Sequence, residues 1–205
     1  MVERRATAHF RPDPVPEDYL DAILSLAAQA PSGYNLQPWR FVVVREEERR
    51  RALQRAAMGQ RKVGEAPVIV VAFGRFEGWR THMDAIFKEG ARRGAGDPEE
   101  IEEQKKTVVD FLGNFPPAVW LNRHVMIAVT AMMFAAETYG IDTAPMEGFD
   151  PAAVRRVCQL PEDAEIVALL AMGFGRDPDK PYGGRLALEE FVHDETFGKP
   201  WMPLD

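Results

Sequence analysis

The 205-residue chain contains a single cysteine, Cys158. No disulfide can close within it and no cysteine-based metal centre can be completed, so a reducing, cytoplasmic setting is the expectation. Histidine is also scarce. His9, His82, His124 and His193 are scattered without an HExxH spacing, which makes a zinc site an unfavourable reading. Long apolar runs are missing: residues 66–73, among the longest, fall far short of the roughly 18 needed to cross a bilayer. The N-terminus enters polar sequence without an apolar signal region, so neither a secretion signal nor a membrane span is expected. Positive charge is in deficit, with 25 Lys plus Arg against 32 Asp plus Glu and a net charge of −7. That argues against nucleic acid or an anionic membrane as the main partner, and any anion site must be locally basic. There is no GxSxG elbow and no GxxxxGK[ST] loop, and Gly173-Phe174-Gly175 lacks the third glycine of a dinucleotide fingerprint.

What is present is ordinary globular composition, 46% hydrophobic and 28% charged, and a length that predicts one domain over residues 1–205. Pro16-Glu17-Asp18 opens a helix carrying Leu20, Ile23, Leu24 and Ala27, and Pro31 stops it. A turn-rich loop then leads into a strand at 39–44. Residues 45–58 read as a charged surface helix, and 67–73 as a strand buried on both faces. Residues 89–106 are Gly-rich and charged, which predicts a mobile, lid-like excursion ahead of a helix bearing Val108, Val109, Phe111 and Leu112. Residues 118–138 are apolar nearly all round and read as a central helix ended by Gly140. A short helix at 151–160, with Cys158 as a small apolar core residue, and a strand at 165–174 follow. Beyond Gly175 the chain is rich in Pro and Gly but keeps Leu186, Leu188, Phe191, Val192, Phe197 and Trp201, which need a surface to cover. Arg80 and the Arg92-Arg93 pair read as solvated loop charges in preference to ligands of a nucleotide phosphate.

Three segments carry candidate chemistry. Arg4 and Arg5 would grip a phosphate through forked hydrogen bonds, the competing reading being a solvated basic terminus. Residues 30–39 (APSGYNLQPW) pack a turn, an amide and two aromatics between helix and strand, or simply connect them with Trp39 in the core. In residues 145–150 (PMEGFD) the glycine lets backbone N–H groups face a ligand closely, or makes a tight turn. Taken jointly with GQRKVGEAPVIVV at 59–71 and GFG…KPYGGR at 173–185, these segments resemble the FMN-dependent nitroreductase family over nearly the whole chain.

The resemblance implies an α+β fold with a central, mostly antiparallel sheet flanked by helices. It further implies an intertwined homodimer with FMN at its interface and residues 186–205 as a C-terminal arm over the partner subunit. By the same resemblance, Arg4 and Arg185 match the phosphate arginines, with Arg5 and Ala6 beside them. Pro31, Ser32, Gly33 and Asn35 match the loop that reaches the flavin from the other subunit. Gln60 and Lys62 match residues near the ribityl chain and pyrimidine edge, and Pro145, Met146, Glu147 and Gly148 match the turn facing the flavin N5 and O4. Tyr34, Phe111 and Phe115 are the candidate aromatic clamp for a substrate, the two Phe alternatively being core residues of a helix end. The implied activity is hydride transfer from NAD(P)H through flavin N5 to nitroaromatic or quinone-type acceptors by a ping-pong cycle, with no catalytic side chain and no metal. Alternatives are a flavin-storage protein with little turnover, or a specialised reaction such as reductive dehalogenation, ene reduction or aldehyde reduction. Ala6 and Ala8 depart from the Ser and the basic residue many members carry, and Gly183-Gly184 stand where a second basic residue is common.

Overall fold

The structure is a computed structural model that describes residues 4–176 and 181–202. In chain order the elements are α1 (Glu17–Ala27), β1 (Trp39–Val44), α2 (Glu47–Ala56), α3 (Arg61–Glu65), β2 (Val68–Arg75), α4 (Gly78–Arg92), α5 (Pro98–Gly113), α6 (Pro117–Thr138), β3 (Asp142–Met146), α7 (Pro151–Cys158) and β4 (Ala164–Gly173). Single 3-10 turns lie at Gly33–Asn35 and Leu188–Glu190. The four strands form one antiparallel sheet in the order β1-β2-β4-β3, which makes the fold α+β.

The period of two in the strands decides the layers. On one face, Ile69, Val71 and Phe73 of β2 join Leu169 and Ala171 of β4 and Ala144 of β3, packed by Leu53 of α2, Val63 of α3 and Val154 of α7. On the other, Val68 and Val70 join Leu170 and Met172, packed by Leu20 and Ile23 of α1 and by Met132 and Ala136 of α6. Register agrees with this division, since Val71 opposes Leu169 and Val70 opposes Leu170. The 22-residue α6 is long and apolar enough to cross a membrane by length and composition. Its contacts with all four strands and with α1 mark it as the core helix of this domain. It ends where Gly140 takes φ +67°: the Gly140 N–H donates to the Glu137 carbonyl and the Ile141 N–H to that of Ala136, a Schellman closure.

Residues 89–106, expected as a mobile excursion, are instead mostly helical. α4 runs to Arg92 and α5 starts at Pro98, leaving a tight turn with Gly94 and Gly96 at φ +83° and +101°. The reason is local: Asp97 and Glu100 form a capping box and Pro98 takes the first helical position, so a stretch that looks punctuated is a helix start. Lys105 of α5 bridges Asp84 of α4 at 2.8 Å. A separate cluster of Leu36, Trp79, Val108, Leu112, Trp120 and Leu121 binds this hairpin to the start of α6. Past Gly175, the described arm residues Leu186, Phe191, Phe197 and Met202 are exposed.

Gly173 closes β4 where nothing larger fits, because a Cβ there would lie 2.5 Å from the Pro67 ring and 3.3 Å from Phe10. Gly173→Ala is expected to cost about 1–3 kcal/mol of stability, as overpacking does in well-filled cores. Urea denaturation of wild type and variant measures it.

Candidate active site

β3 is an edge strand, and its outer side is covered by the N-terminal segment. The Thr7 N–H donates to the Thr143 carbonyl at 3.1 Å, Phe10 bridges Gly175, and the Arg176 N–H donates to the His9 carbonyl at 3.0 Å. Asp142 fastens the same corner, accepting from the Gly175 N–H at 2.8 Å and from the Thr7 hydroxyl at 3.4 Å. Followed back from Phe10, this track brings Ala6 against the core that holds Met146 and Phe149, with Arg5 and Arg4 just beyond. Arg185 arrives from the other end of the chain. Its Nη2 lies 3.5 Å from the Arg4 carbonyl, Nη1 donates to the Gly184 carbonyl at 2.7 Å, and the guanidinium rests over the Tyr182 ring at 5.5 Å. Among the described residues no carboxylate pairs with either Arg4 or Arg185.

The α2–α3 link and the β3–α7 turn meet beside them. Asp150 donates its N–H to the Ala56 carbonyl at 2.8 Å, and Gln60 donates its side-chain amide to the Gly148 carbonyl at 2.8 Å. Lys62 sits in the first turn of α3, while Glu147 and Gly148 are exposed on the turn after Pro145 and Met146. Arg4, Arg5, Ala6, Gln60, Pro145, Met146, Glu147, Gly148 and Arg185 are thus brought to the β3 edge of the sheet, with Lys62 two residues past Gln60 in α3. Glu65, which sequence reasoning missed, ties α3 to the N-terminal track: its carboxylate lies 3.2 Å from His9 Nδ1, 3.4 Å from the Phe10 N–H and 3.1 Å from Arg61. Burial alone would raise its pKa, but the bonds from His9 and Phe10 and the Arg61 charge outweigh burial and hold the carboxyl below the usual range.

Pro31, Ser32, Gly33 and Asn35 lie elsewhere, at the β1 end of the sheet. The Ser32 hydroxyl accepts from the Gln37 N–H at 2.9 Å, Leu36 is fully buried, and a Cβ on Gly33 would come within 3.3 Å of His124 Nε2 on α6. Tyr34, Asn35 and Gln37 have φ of 52°, 55° and 46°, the left-handed region that non-glycine residues avoid. Arg40, also missed, holds this backbone by donating Nη1 to the Gln37 and Trp39 carbonyls at 3.0 and 2.6 Å. The signal was an arginine inside an otherwise apolar strand. β1 and β3 are the two edges of a four-stranded sheet, about 14 Å apart at roughly 4.8 Å per strand.

The aromatic clamp candidates come together. Tyr34 meets Phe111 edge-on at 5.6 Å and Phe111 meets Phe115 at 4.8 Å. Phe111 is 42% exposed, so it is not a core residue of the helix end. A cavity of about 470 Å³ opens beside Tyr34, walled by Glu100, Glu103, Gln104 and Thr107 of α5. Cys158 is half-buried against the core and burial pushes its thiol pKa up, which leaves it unreactive. No group of three or more metal-ligating side chains occurs among the described residues.

A sheet of this order, flanked by helices on both faces, with a basic cluster at one edge and a strained polar loop at the other, places the molecule in an α+β class. The nitroreductase family model matches residues 1–174, and the chain belongs to that family. A Thermus thermophilus protein named NADH dehydrogenase is 38% identical over 192 residues, covering 93% of this chain and 92% of that one. The crystal structure of YdfN from Bacillus subtilis superposes with a TM-score of 0.87 at 27% identity, covering 94% of this chain and 95% of that one. An Exiguobacterium sibiricum protein solved in complex with FMN shares the fold at a TM-score of 0.82 and 22% identity, covering 94% of each chain.

The Glu65 carboxyl supplies a pH test. A carboxylate held low in the folded state contributes stability that is present above its unfolded pKa and lost as pH falls through the folded one. The acid limb of wild-type stability should therefore be steeper than that of Glu65→Gln, with the curves converging at the lowest pH, as read from urea midpoints between pH 7 and pH 3.

Proposed function

We propose that the protein is an FMN-dependent oxidoreductase that takes reducing equivalents from NADH or NADPH and delivers them to nitroaromatic or quinone-type acceptors, working as a homodimer in a reducing, cytoplasmic setting. The observation that carries this reading is the approach of the Arg185 guanidinium to the Arg4 backbone carbonyl, which brings together two arginines with no carboxylate partner among the described residues in a chain of net charge −7. Arginines brought together in this way suit a dianionic phosphate, which takes several charge-assisted donors at once. The neighbouring groups fit the rest of FMN: Gln60 and Lys62 offer polar side chains, and the exposed Glu147-Gly148 turn offers backbone N–H groups with no Cβ at Gly148 in the way. FMN bound here would supply the reversible uptake and release of hydride.

The chain's own residues then have positioning work. Arg4, Arg5 and Arg185 hold the phosphate, and the Glu147-Gly148 amides stabilise negative charge by fixed dipoles. Tyr34, Phe111 and Phe115 offer ring faces and edges for stacking an aromatic acceptor and excluding water. No side-chain acid or base is assigned. Ser32, Gly33 and Asn35 stand at the sheet edge opposite to the basic cluster, so a second copy of the chain is the natural source of that loop. Val119, Ile127 and Phe134 form an exposed apolar stripe along α6, and Leu186, Phe191, Phe197 and Met202 expose the arm, surfaces that a partner subunit would cover. The names of the Thermus relative and of the FMN complex point the same way.

An anaerobic visible spectrum tests the reading. The expected result is a yellow protein whose flavin band bleaches on adding NADH or NADPH. A flavin spectrum that does not bleach leaves a flavin-holding protein without this activity, and a protein that stays colourless when FMN is supplied overturns the proposal. Arg4→Gln and Arg185→Gln should each weaken FMN binding about tenfold, the loss of one charge-assisted contact, by fluorescence titration.

A further inference from the structure

A second cavity is separate from both the basic cluster and the aromatic row. It measures about 580 Å³ and lies between the end of α1, the strained 31–37 loop and one face of α4. Its α4 wall is His82, Ala85, Ile86 and Glu89, which recur at helical spacing, with Arg93 just past the helix end, and small residues at Ala28, Ala30 and Gly90 leave the room. Arg40 stands in its wall. Two hydrogens of that guanidinium are spent on the Gln37 and Trp39 carbonyls, and Nη2 lies against the His82 ring, 2.7 Å from Nδ1 and 3.1 Å from Nε2. Nε and one Nη2 hydrogen remain, and among the described residues no carboxylate neutralises the group. Burial first and the nearby Arg75 charge second lower the Arg40 pKa, the signature of a half-buried cation lacking a counter-ion.

Other donors converge on the same space. Arg93 lines it from the end of α4, paired with Glu89 at 2.6 Å, and Arg92 binds the same carboxylate at 2.8 Å. Glu89, held down to about 2 by those two arginines, is thus committed and does not neutralise Arg40. Gln29, Asn35 and Gln37 also line the cavity, and their side-chain amides make no hydrogen bond among the described residues. Amides of this kind pair with the N6 and N7 edge of adenine, and guanidiniums with phosphate. Left-handed backbone at Tyr34, Asn35 and Gln37 is costly, of order 1–3 kcal/mol per residue, and such strain collects where a ligand must be met in a fixed geometry.

We infer that this cavity binds the phosphorylated adenosine end of the nicotinamide nucleotide, with Arg40 and Arg93 on phosphate and Gln29, Asn35 and Gln37 on the base or ribose. The inference rests on the proposed function for the identity of the nucleotide, and it makes the 31–37 loop serve both flavin and donor. Arg92-Arg93 read from sequence as solvated loop charges; both side chains are exposed, and Arg93, just past the end of α4, also lines this cavity.

Calorimetric titration of the FMN-loaded protein with adenosine, 5′-AMP, 2′,5′-ADP and inorganic phosphate tests it. Both adenosine phosphates should bind, at least about tenfold more tightly than adenosine, and compete with NADPH or NADH. Tighter binding of 2′,5′-ADP than of 5′-AMP assigns the arginines to the 2′-phosphate peculiar to NADPH; equal binding assigns them to the phosphates common to both donors. Arg93→Gln, at an exposed position where folding is not at stake, should weaken the adenosine phosphates about tenfold at unchanged flavin content, and Arg40→Lys, which keeps charge but loses the fork, should weaken them about tenfold per flavin-loaded protein. Adenosine binding as tightly as its phosphates, inorganic phosphate matching 2′,5′-ADP, or variants indistinguishable from wild type would overturn the inference. If the protein takes up no FMN yet shows this pattern, the proposed activity fails and the adenosine-phosphate site stands; flavin without the pattern means the reverse.

Discussion

An edge strand leaves a row of backbone N–H and C=O groups without partners, and the molecule's answer at β3 sets the position of its basic cluster. The N-terminal segment covers that edge through Thr7 and closes the corner at Phe10 and Gly175. Because the segment must run along β3 to satisfy those groups, Ala6 is seated beside Met146 and Phe149 and Arg4 and Arg5 follow just beyond it. The clamp holding the track is polar: Asp142 at one point, Glu65 at another. Phe10 and Ala6 seat it on the core. Position of the cations is thus a consequence of edge protection and core packing.

The opposite edge obeys a different constraint. Between α1 and β1 the chain reverses within a few residues, and it does so through left-handed backbone at three non-glycine positions. Such a loop persists only if its surroundings fix it from several sides. Leu36 is buried with Trp79 and Trp120, Ser32 accepts from Gln37, and Arg40 holds two loop carbonyls. The loop is therefore rigid for reasons independent of any ligand, and both Tyr34 and Asn35 are presented at set angles to the spaces on either side.

Most of the fold was legible because its elements carry strong local marks. β2 and β4 are continuous apolar runs, α6 is apolar nearly all round, and Gly140 stops it. The 89–106 stretch misled because Gly and charge density read as a loop, whereas Asp97, Pro98 and Glu100 act together as a helix start only when their spacing is weighed above their composition. Of the residues in the proposed site, Arg4, Gln60, Gly148 and Arg185 were picked out by resemblance. Glu65 and Arg40 could not, since each acts through contacts made across the fold: Glu65 with residues 55 and 56 positions away, Arg40 with His82. A one-dimensional reading sees a charged helix and an odd strand residue; only packing shows what they hold.

Charge is distributed in a way the net value of −7 conceals. The strained loop divides two cavities of opposite character. On the Tyr34 side the wall is Glu100, Glu103, Gln104 and Thr107; on the Asn35 side it includes Arg40 and Arg93, with Glu89 already paired. An anionic molecule approaching this end of the domain meets repulsion in one space and attraction in the other, and screening over about 10 Å at ordinary salt leaves each effect local. A donor bearing phosphates and an uncharged aromatic acceptor differ in this respect. The polarity of the two walls would therefore sort them to different sides of the loop even if both react at one centre. Selectivity of that kind needs no change in the fold, only the choice of residue on one face of α4 and one face of α5.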